Sequence, residues 1–289
     1  MNKNTLLIAT LSSILCAAST YAYDINFTTA EGYTAGSLIG QPSGGGPTWT
    51  TNGAAVATVD PTGSGTASIT ALPTGVTLAY NSSESFANSG DTLTLSTDFV
   101  MNLNGANYNP DGTNVSGTSD NQIFLGTGEF LGSNAIRTNI IKQNDAGNWR
   151  MTFFNAGGGG AGGFAQFFFI ESNIGITAAG GADLVSDKLR LTIDLTRNDT
   201  NSWNGNISIY NVDTATAINS TAYTTTVNAG QQAGTNYFGT FAGVGTFPTS
   251  IDVDNINLTV TPIPEPATIA LSLGVACIVL TAVRRRRRS

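Results

Sequence analysis

Between residues 23 and 262 the chain alternates apolar and polar side chains. In DTLTLSTDFVMNL the residues Leu93, Leu95, Phe99, Met101 and Leu103 share one face; in DKLRLTIDLTRN Leu189, Leu191, Ile193 and Leu195 do; NGNISIYNV contributes Ile207 and Ile209. A period of two sends every second side chain to the same side of an extended backbone, so these segments read as half-buried antiparallel strands. AVATVD, TASITAL, GVTLAY, NQIFLG, AIRTNIIKQ, WRMTFF, AQFFFIES and TNYFGTFAGV are further candidates, punctuated by Gly, Asn, Asp and Pro turns. About a dozen short strands without a sustained 3.6 period predict an all-β, antiparallel two-sheet sandwich. In IDVDNINLTV the apolar phase jumps: Ile251 and Val253 face one way, then Ile256, Leu258 and Val260. The extra polar residue at Asp254-Asn255 predicts a β-bulge.

The pattern breaks at both ends. Lys3, the apolar run Leu6 to Ala18 and the small-residue site Thr20-Tyr21-Ala22 have the organisation of a secretory signal peptide, expected as a helix over residues 1–22 and cleaved between Ala22 and Tyr23. Cys16 follows Leu15, which does not suit a lipoprotein signal. At the other end, the 17 residues from Ala267 to Val283 carry no charge. As a helix they would reach roughly 25 Å, just enough for one short transmembrane span. Arg284, Arg285, Arg286, Arg287 and Arg288 would hold that end on the cytoplasmic side and leave the body outside. Pro264 and Pro266 impose an extended segment around Glu265, a form that suits a protease.

Composition narrows the chemistry. Residues 23–262 hold six basic and 18 acidic side chains, a net charge of −12, which argues against nucleic acid as a partner. Both cysteines, Cys16 and Cys277, lie in the end segments, so the body has no disulfide framework. Histidine is absent, which removes Ser-His-Asp and Cys-His catalysis and imidazole zinc sites. Carboxylate chemistry and oxygen-ligated Ca²⁺ survive this test.

Pro264, Glu265, Pro266, Ala267 and Thr268, with the apolar run and the arginine block behind them, resemble the PEP-CTERM sorting signal of Gram-negative bacteria. That resemblance implies an exosortase as processing partner and transient anchoring in the inner membrane. It further implies removal of the tail by a cut within the sorting signal, residues 263–289, and delivery to the cell surface or an extracellular, exopolysaccharide-rich biofilm matrix. A plain single-pass anchor would explain the arginines and the apolar run but not the Pro-Glu-Pro. The opening INFTTAEGYTAGSLIGQ with Trp49, and the closing DVDNINLTV, resemble the first and last strands of concanavalin A-like, laminin-G-like jelly rolls, in which the termini pair side by side. The middle LRLTIDLTRNDTNSWNGNISIYNVDT resembles their paired strands joined by a turn.

Candidate sites are sparse. GGGGAGG, Gly157 to Gly163, formally contains Gly-x-Gly-x-x-Gly, but a phosphate loop needs a helix after it and here aromatic strand patterns flank both sides, which reads as a hairpin loop. Asp111 and Asp120 in an Asx-rich loop, and Asp252 with Asp254 as a same-face pair, offer oxygen ligands for Ca²⁺; Asx-turn hydrogen bonding uses the same residues. No other cofactor is indicated. The Glu-x-Asp-x-x-Glu strand motif of concanavalin A-like glucanases is absent and the body's glutamates Glu31, Glu84, Glu129 and Glu171 are scattered, so no catalytic residue is assigned; a carboxylate-based carbohydrate-active enzyme is the alternative. Trp49 and Trp149 read as core, whereas Trp203, in an expected turn before NGNISIY, is the candidate to stack on a sugar ring of an extracellular polysaccharide.

Overall fold

Alternation in the chain becomes two antiparallel sheets. The computed structural model describes residues 21–42, 49–51, 56–70, 76–81, 88–102, 122–127, 136–142, 148–155, 166–176, 185–198, 202–226, 235–241 and 250–263, with 274, 277–279 and 284 beyond them. In chain order the strands are β1 (Tyr21–Ile25), β2 (Gly36–Ser37), β3 (Thr50–Thr51), β4 (Val56–Asp60), β5 (Thr66–Thr70), β6 (Val76–Asn81), β7 (Thr92–Asn102) and β8 (Gln122–Thr127). They continue as β9 (Ile136–Lys142), β10 (Asn148–Asn155), β11 (Gln166–Ile170), β12 (Leu189–Arg197), β13 (Ser202–Asn211), β14 (Thr216–Thr226), β15 (Thr235–Phe241) and β16 (Ser250–Thr261). One sheet runs β14-β13-β12-β7-β16-β5-β4-β2, with β1 also paired to β16; the other runs β11-β10-β9-β8-β15-β6-β3. The all-β, two-sheet sandwich expected from the pattern is what the chain forms.

Two relationships expected from the jelly-roll resemblance are present. β1 pairs antiparallel with β16, Tyr21 opposite Val260 and Ile25 opposite Ile256, so the two ends of the sandwich lie side by side. β12 and β13 form an antiparallel pair from Leu189 opposite Asn211 to Arg197 opposite Trp203. The strands flanking the glycine-rich segment, β10 and β11, also pair antiparallel, as a hairpin requires; Gly157 to Gly163 themselves lie outside the described residues. Among the described residues no helix is long and apolar enough to cross a membrane. The signal helix was expected over residues 1–22: of these, Tyr21 and Ala22 are strand, drawn into β1 by pairing with Val260 and Thr259, and residues 1–20 lie outside the described residues, as do 264–273, 275–276, 280–283 and 285–289 of the tail.

The inward faces meet in one core. Leu93, Leu95, Phe99 and Met101 of β7, Leu189, Leu191, Ile193 and Leu195 of β12, Ile207 and Ile209 of β13, and Ile251, Val253, Ile256, Leu258 and Val260 of β16 are buried in one cluster with Trp149, Met151, Phe167 and Phe169 of the second sheet. The bulge falls where the apolar phase jump put it. Val253 stands opposite Phe99 and Asn255 opposite Asp98, leaving Asp254 as the extra residue. The buried Thr97 hydroxyl donates 2.8 Å to the Asn255 carbonyl and so satisfies a backbone acceptor at the interruption. β14 was not among the expected strands: TAINSTAYTTT lacks an apolar stripe, and among the described side chains of this edge strand Ile218 is the apolar one packed partly against the core.

The burial pattern of β16 makes a direct contrast. Leu258→Ala, at a fully packed position, should cost about 2–5 kcal/mol through lost transfer energy and a cavity. Asn257→Ala, one residue earlier and facing out, should stay within about 0.5 kcal/mol. The midpoint of urea unfolding at constant slope measures both; similar costs for the two would place the core on the wrong face of β16.

Candidate functional site

The bulge shapes the outward face of the nine-stranded sheet. On β7 the outward positions Ser96 and Asp98 alternate with buried Leu95, Thr97 and Phe99. The register then sets two polar rows across four strands. One row holds Arg190 of β12, Asp98 of β7 and Asn255 of β16, with Asn26 just beyond β1; the other holds Thr192, Ser96, Asn257 and Asp24. At about 4.8 Å between strands, this floor is about 14 Å wide. It lies in an open depression of about 430 Å³ lined by Asp24, Asn26, Ser64, Ser96, Asp98, Arg190, Asp254, Asn255 and Asn257, all of them polar.

These side chains are fixed by one another. Arg190 donates from Nε and Nη2 to the two carboxylate oxygens of Asp98 at 2.6 and 2.7 Å. This planar, bidentate geometry is specific to a guanidinium. The Arg190 side chain is 47% exposed while that of Asp98 is 9%, so a submerged carboxylate presents the cation to the depression. Lys188 Nζ pairs with Asp254 Oδ2. Asn255 Nδ2 donates 2.7 Å to Asp24 Oδ1 and to Asn26 Oδ1. Asn26 is positioned in turn by Glu31, whose carboxylate accepts the Asn26 and Thr28 backbone N–H groups at 3.0 and 3.1 Å. Ser64 is brought in by a close approach: Gly65 has φ +74°, and a Cβ there would lie 2.2 Å from the Asn26 carbonyl oxygen. Any larger residue would push the β4–β5 turn away from the floor.

Electrostatics reinforce the arrangement. The Lys188 ammonium is held above its ordinary value of 10.5, first by its hydrogen bond to Asp254 and against the opposing effect of partial burial. Arg190 is likewise raised, chiefly by its hydrogen bond to Asp98. The three carboxylates (Asp24, Asp98, Asp254) face two cations (Arg190 and the adjacent Lys188), so the floor is near neutral within a strongly acidic body.

The residues singled out from sequence fare differently. Trp203 is corrected: it is 0% exposed and lies in β13, since the period of Ile207 and Ile209 runs back through Gly205 to an inward Trp203. It offers no ring face to a sugar. Trp49 and Trp149 are core, as expected. Asp252 and Asp254 share the outward face but not a site. Asp252 accepts from the Ser68 hydroxyl on the β5 side, whereas Asp254 pairs with Lys188 on the β12 side, so they do not converge on one cation. Among the described residues no group of three or more His, Cys, Asp or Glu could hold a metal ion. Asp111 and Asp120 lie outside the described residues, as do Pro264, Glu265, Pro266, Ala267, Thr268 and Arg285 to Arg288. Ala22 and Tyr23 sit within β1, opposite Thr259 and Leu258. The Asp98–Arg190 pair was missed, since its signal, opposite charges at outward positions of two alternating strands, acquires meaning only once β7 and β12 are known to be neighbours.

No family model matches the chain, and no curated protein matches it. Among solved structures, a protein of unknown function from Shewanella oneidensis MR-1 is similar over 90% of this chain and 95% of its own, at 14% identity and TM-score 0.47. Arcelin-5, a lectin-like defence protein from Phaseolus vulgaris, is similar over 84% and 99%, at 11% identity and TM-score 0.42. A lectin from Bauhinia forficata, solved in complex with GalNAc, is similar over 85% and 100%, at 7% identity and TM-score 0.43. Likenesses this distant assign no activity to the chain.

The Lys188–Asp254 pair predicts a pH signature. A lysine raised in the folded state contributes stability that is complete below its unfolded value of 10.5 and is lost as pH rises through the higher folded value. Wild-type stability should therefore fall more steeply above about pH 10.5 than that of Asp254→Asn, by well under about 1 kcal/mol for a pair this exposed. Urea titrations at pH 9 and 11.5 compare the two slopes; parallel slopes would mean that the pair is not formed in solution.

Proposed function

We propose that this chain is an exported, non-catalytic surface protein that is sorted by a PEP-CTERM-type signal and holds neutral polysaccharide on the polar floor of its nine-stranded sheet. In this reading residues 1–22 are the signal peptide, 23–262 the sandwich and 263–289 the sorting segment, with an exosortase as processing partner. The membrane is a transient anchor, and the cell surface or extracellular matrix of a Gram-negative bacterium is the destination, where the role is structural or adhesive. The observation that carries the reading is the ordered Pro264-Glu265-Pro266, uncharged run and Arg284 to Arg288, which begins three residues after the last residue of β16.

The depression supports the mature role. Fixed donors and acceptors bind at low ordering cost, and a near-neutral mixture of carboxylate, guanidinium and amide groups complements vicinal hydroxyls better than it does a polyanion. Its carboxylates are matched to separate partners, Asp98 to Arg190, Asp254 to Lys188 and Asp24 to Asn255, an arrangement suited to holding a ligand.

Two measurements test the reading. A chain ending at Pro262 should be exported but fail to reach the wild-type distribution among membrane, surface and matrix; an unchanged distribution would remove the sorting claim. Purified mature protein should bind neutral polysaccharide in calorimetry. Asn257→Ala should weaken that binding by about tenfold, the loss expected of one or two ligand hydrogen bonds. Unchanged affinity would move the ligand elsewhere, and cleavage of the polysaccharide abolished by Asp98→Asn would turn the binder into an enzyme.

A further inference from the structure

We propose that Asp91 is a positioning residue that fixes the C-terminal boundary of the mature protein: it clamps Ile263, so that the processing enzyme can act only beyond that residue. The proposal rests on the reading of the segment after Ile263 as a sorting signal, and the clamp itself on the geometry of the described residues.

Asp91 precedes β7 in a turn and is 0% exposed. Its Oδ2 accepts the Asn88 backbone N–H at 2.7 Å and its Oδ1 accepts the Ile263 backbone N–H at 2.8 Å. The turn is itself pinned to the end of β12. Gly90 N–H donates to the Arg197 carbonyl at 2.6 Å, Arg197 N–H donates to the Asp91 carbonyl at 3.0 Å, and the Ser89 hydroxyl donates to the Asn198 carbonyl. A second contact comes from the Ile263 side chain, which lies over Gly90: a Cβ built there, at φ +91°, would come within 2.2 Å of Ile263 Cδ1. Ile263 is thus held by backbone and side chain. Its N–H is the last before Pro264, which has none to offer.

Upstream of the clamp the backbone is already committed. β16 is paired with β7 on one edge up to Thr261, and on the other edge with β5 over Ser250 to Val253 and, once residues 1–22 are removed, with β1 over Ile256 to Leu258. A peptidase or transpeptidase engages its substrate as an extended strand through those same N–H and C=O groups. Cutting before Ile263 would require peeling a central strand out of the sheet and withdrawing an amide from a buried carboxylate. Cutting after it requires neither. The chain that remains keeps its new end seated on the Asn88–Asp91 turn, so whatever the enzyme attaches there is carried on a rigid mount.

The test is intact-mass analysis of the exported protein from cells that carry the processing enzyme, combined with amide exchange at Ile263 in the full chain. Wild type should end at Ile263 or later, as one species. Asp91→Ala, and independently Gly90→Ala, which leaves the carboxylate in place, should release Ile263. Both should yield ragged ends upstream of it and exchange its amide at least about tenfold faster, in line with local opening. A wild-type terminus at or before Pro262, or unchanged ends and exchange in both variants, overturns the clamp. A mass that still includes Arg284 to Arg288 defeats the sorting reading instead, and the Ile263 exchange rates then decide whether the clamp exists.

Discussion

Everything in this sandwich hangs on β16 having both edges occupied. It is paired along its length with β7, and its other edge is shared end to end by β5 and β1, with the bulge at the junction between them. A bulge adds a residue on one strand only, which lets Asp254 and Asn255 oppose the single Asp98 while Val253 and Ile256 both stay in the core. Without it, the register that buries Ile251 and Val253 would turn Ile256, Leu258 and Val260 to solvent, since a slip of one residue exchanges the two faces. The pairing is also extremely non-local: Asp24 opposes Asn257 and Asp98 opposes Asn255. Such contacts form late, because loop closure must precede the gain from burial. The body has no cysteine to shorten those loops, so the core alone holds the ends together.

The strands with one buried face were legible in the sequence because alternation is a statement about burial. The bulge was legible for the same reason, as a slip in phase between Val253 and Ile256. β14 was not, since an edge strand with little buried area leaves no apolar mark. Trp203 was misjudged because the Asn and Gly around it read as a turn, whereas Asn204 and Gly205 are strand residues opposite Thr196 and Leu195. The polar floor was hidden for a deeper reason. Outward residues of separate strands form a site only through register, and register is a property of pairs of segments. Asp98 and Arg190 are 92 positions apart in the chain yet directly opposite each other in the sheet.

A carboxylate as enclosed as that of Asp98 needs its cation, since a buried charge without a partner costs several kcal/mol. The floor's other charged and amide groups are partnered too: Asp254 has Lys188, and Asn255 bridges Asp24 and Asn26. The floor is therefore a stiff polar surface whose groups were ordered when the sheet formed. Ordering cost already met in folding is not charged again to a ligand, so a surface of this kind would bind one at a lower entropic cost than a mobile one.

β16 also sets the distance between that surface and the end of the described chain. Nine positions separate Asp254 from Ile263, about 30 Å of extended backbone, so the floor and the Asp91 clamp lie well apart along the same strand. Tyr21 opposite Val260 brings the first strand to the clamped end as well, so entry and exit of the sandwich share one corner. The antiparallel pairing of first and last strands thus gathers both ends of the sandwich at one end of β16, while the polar floor occupies its middle.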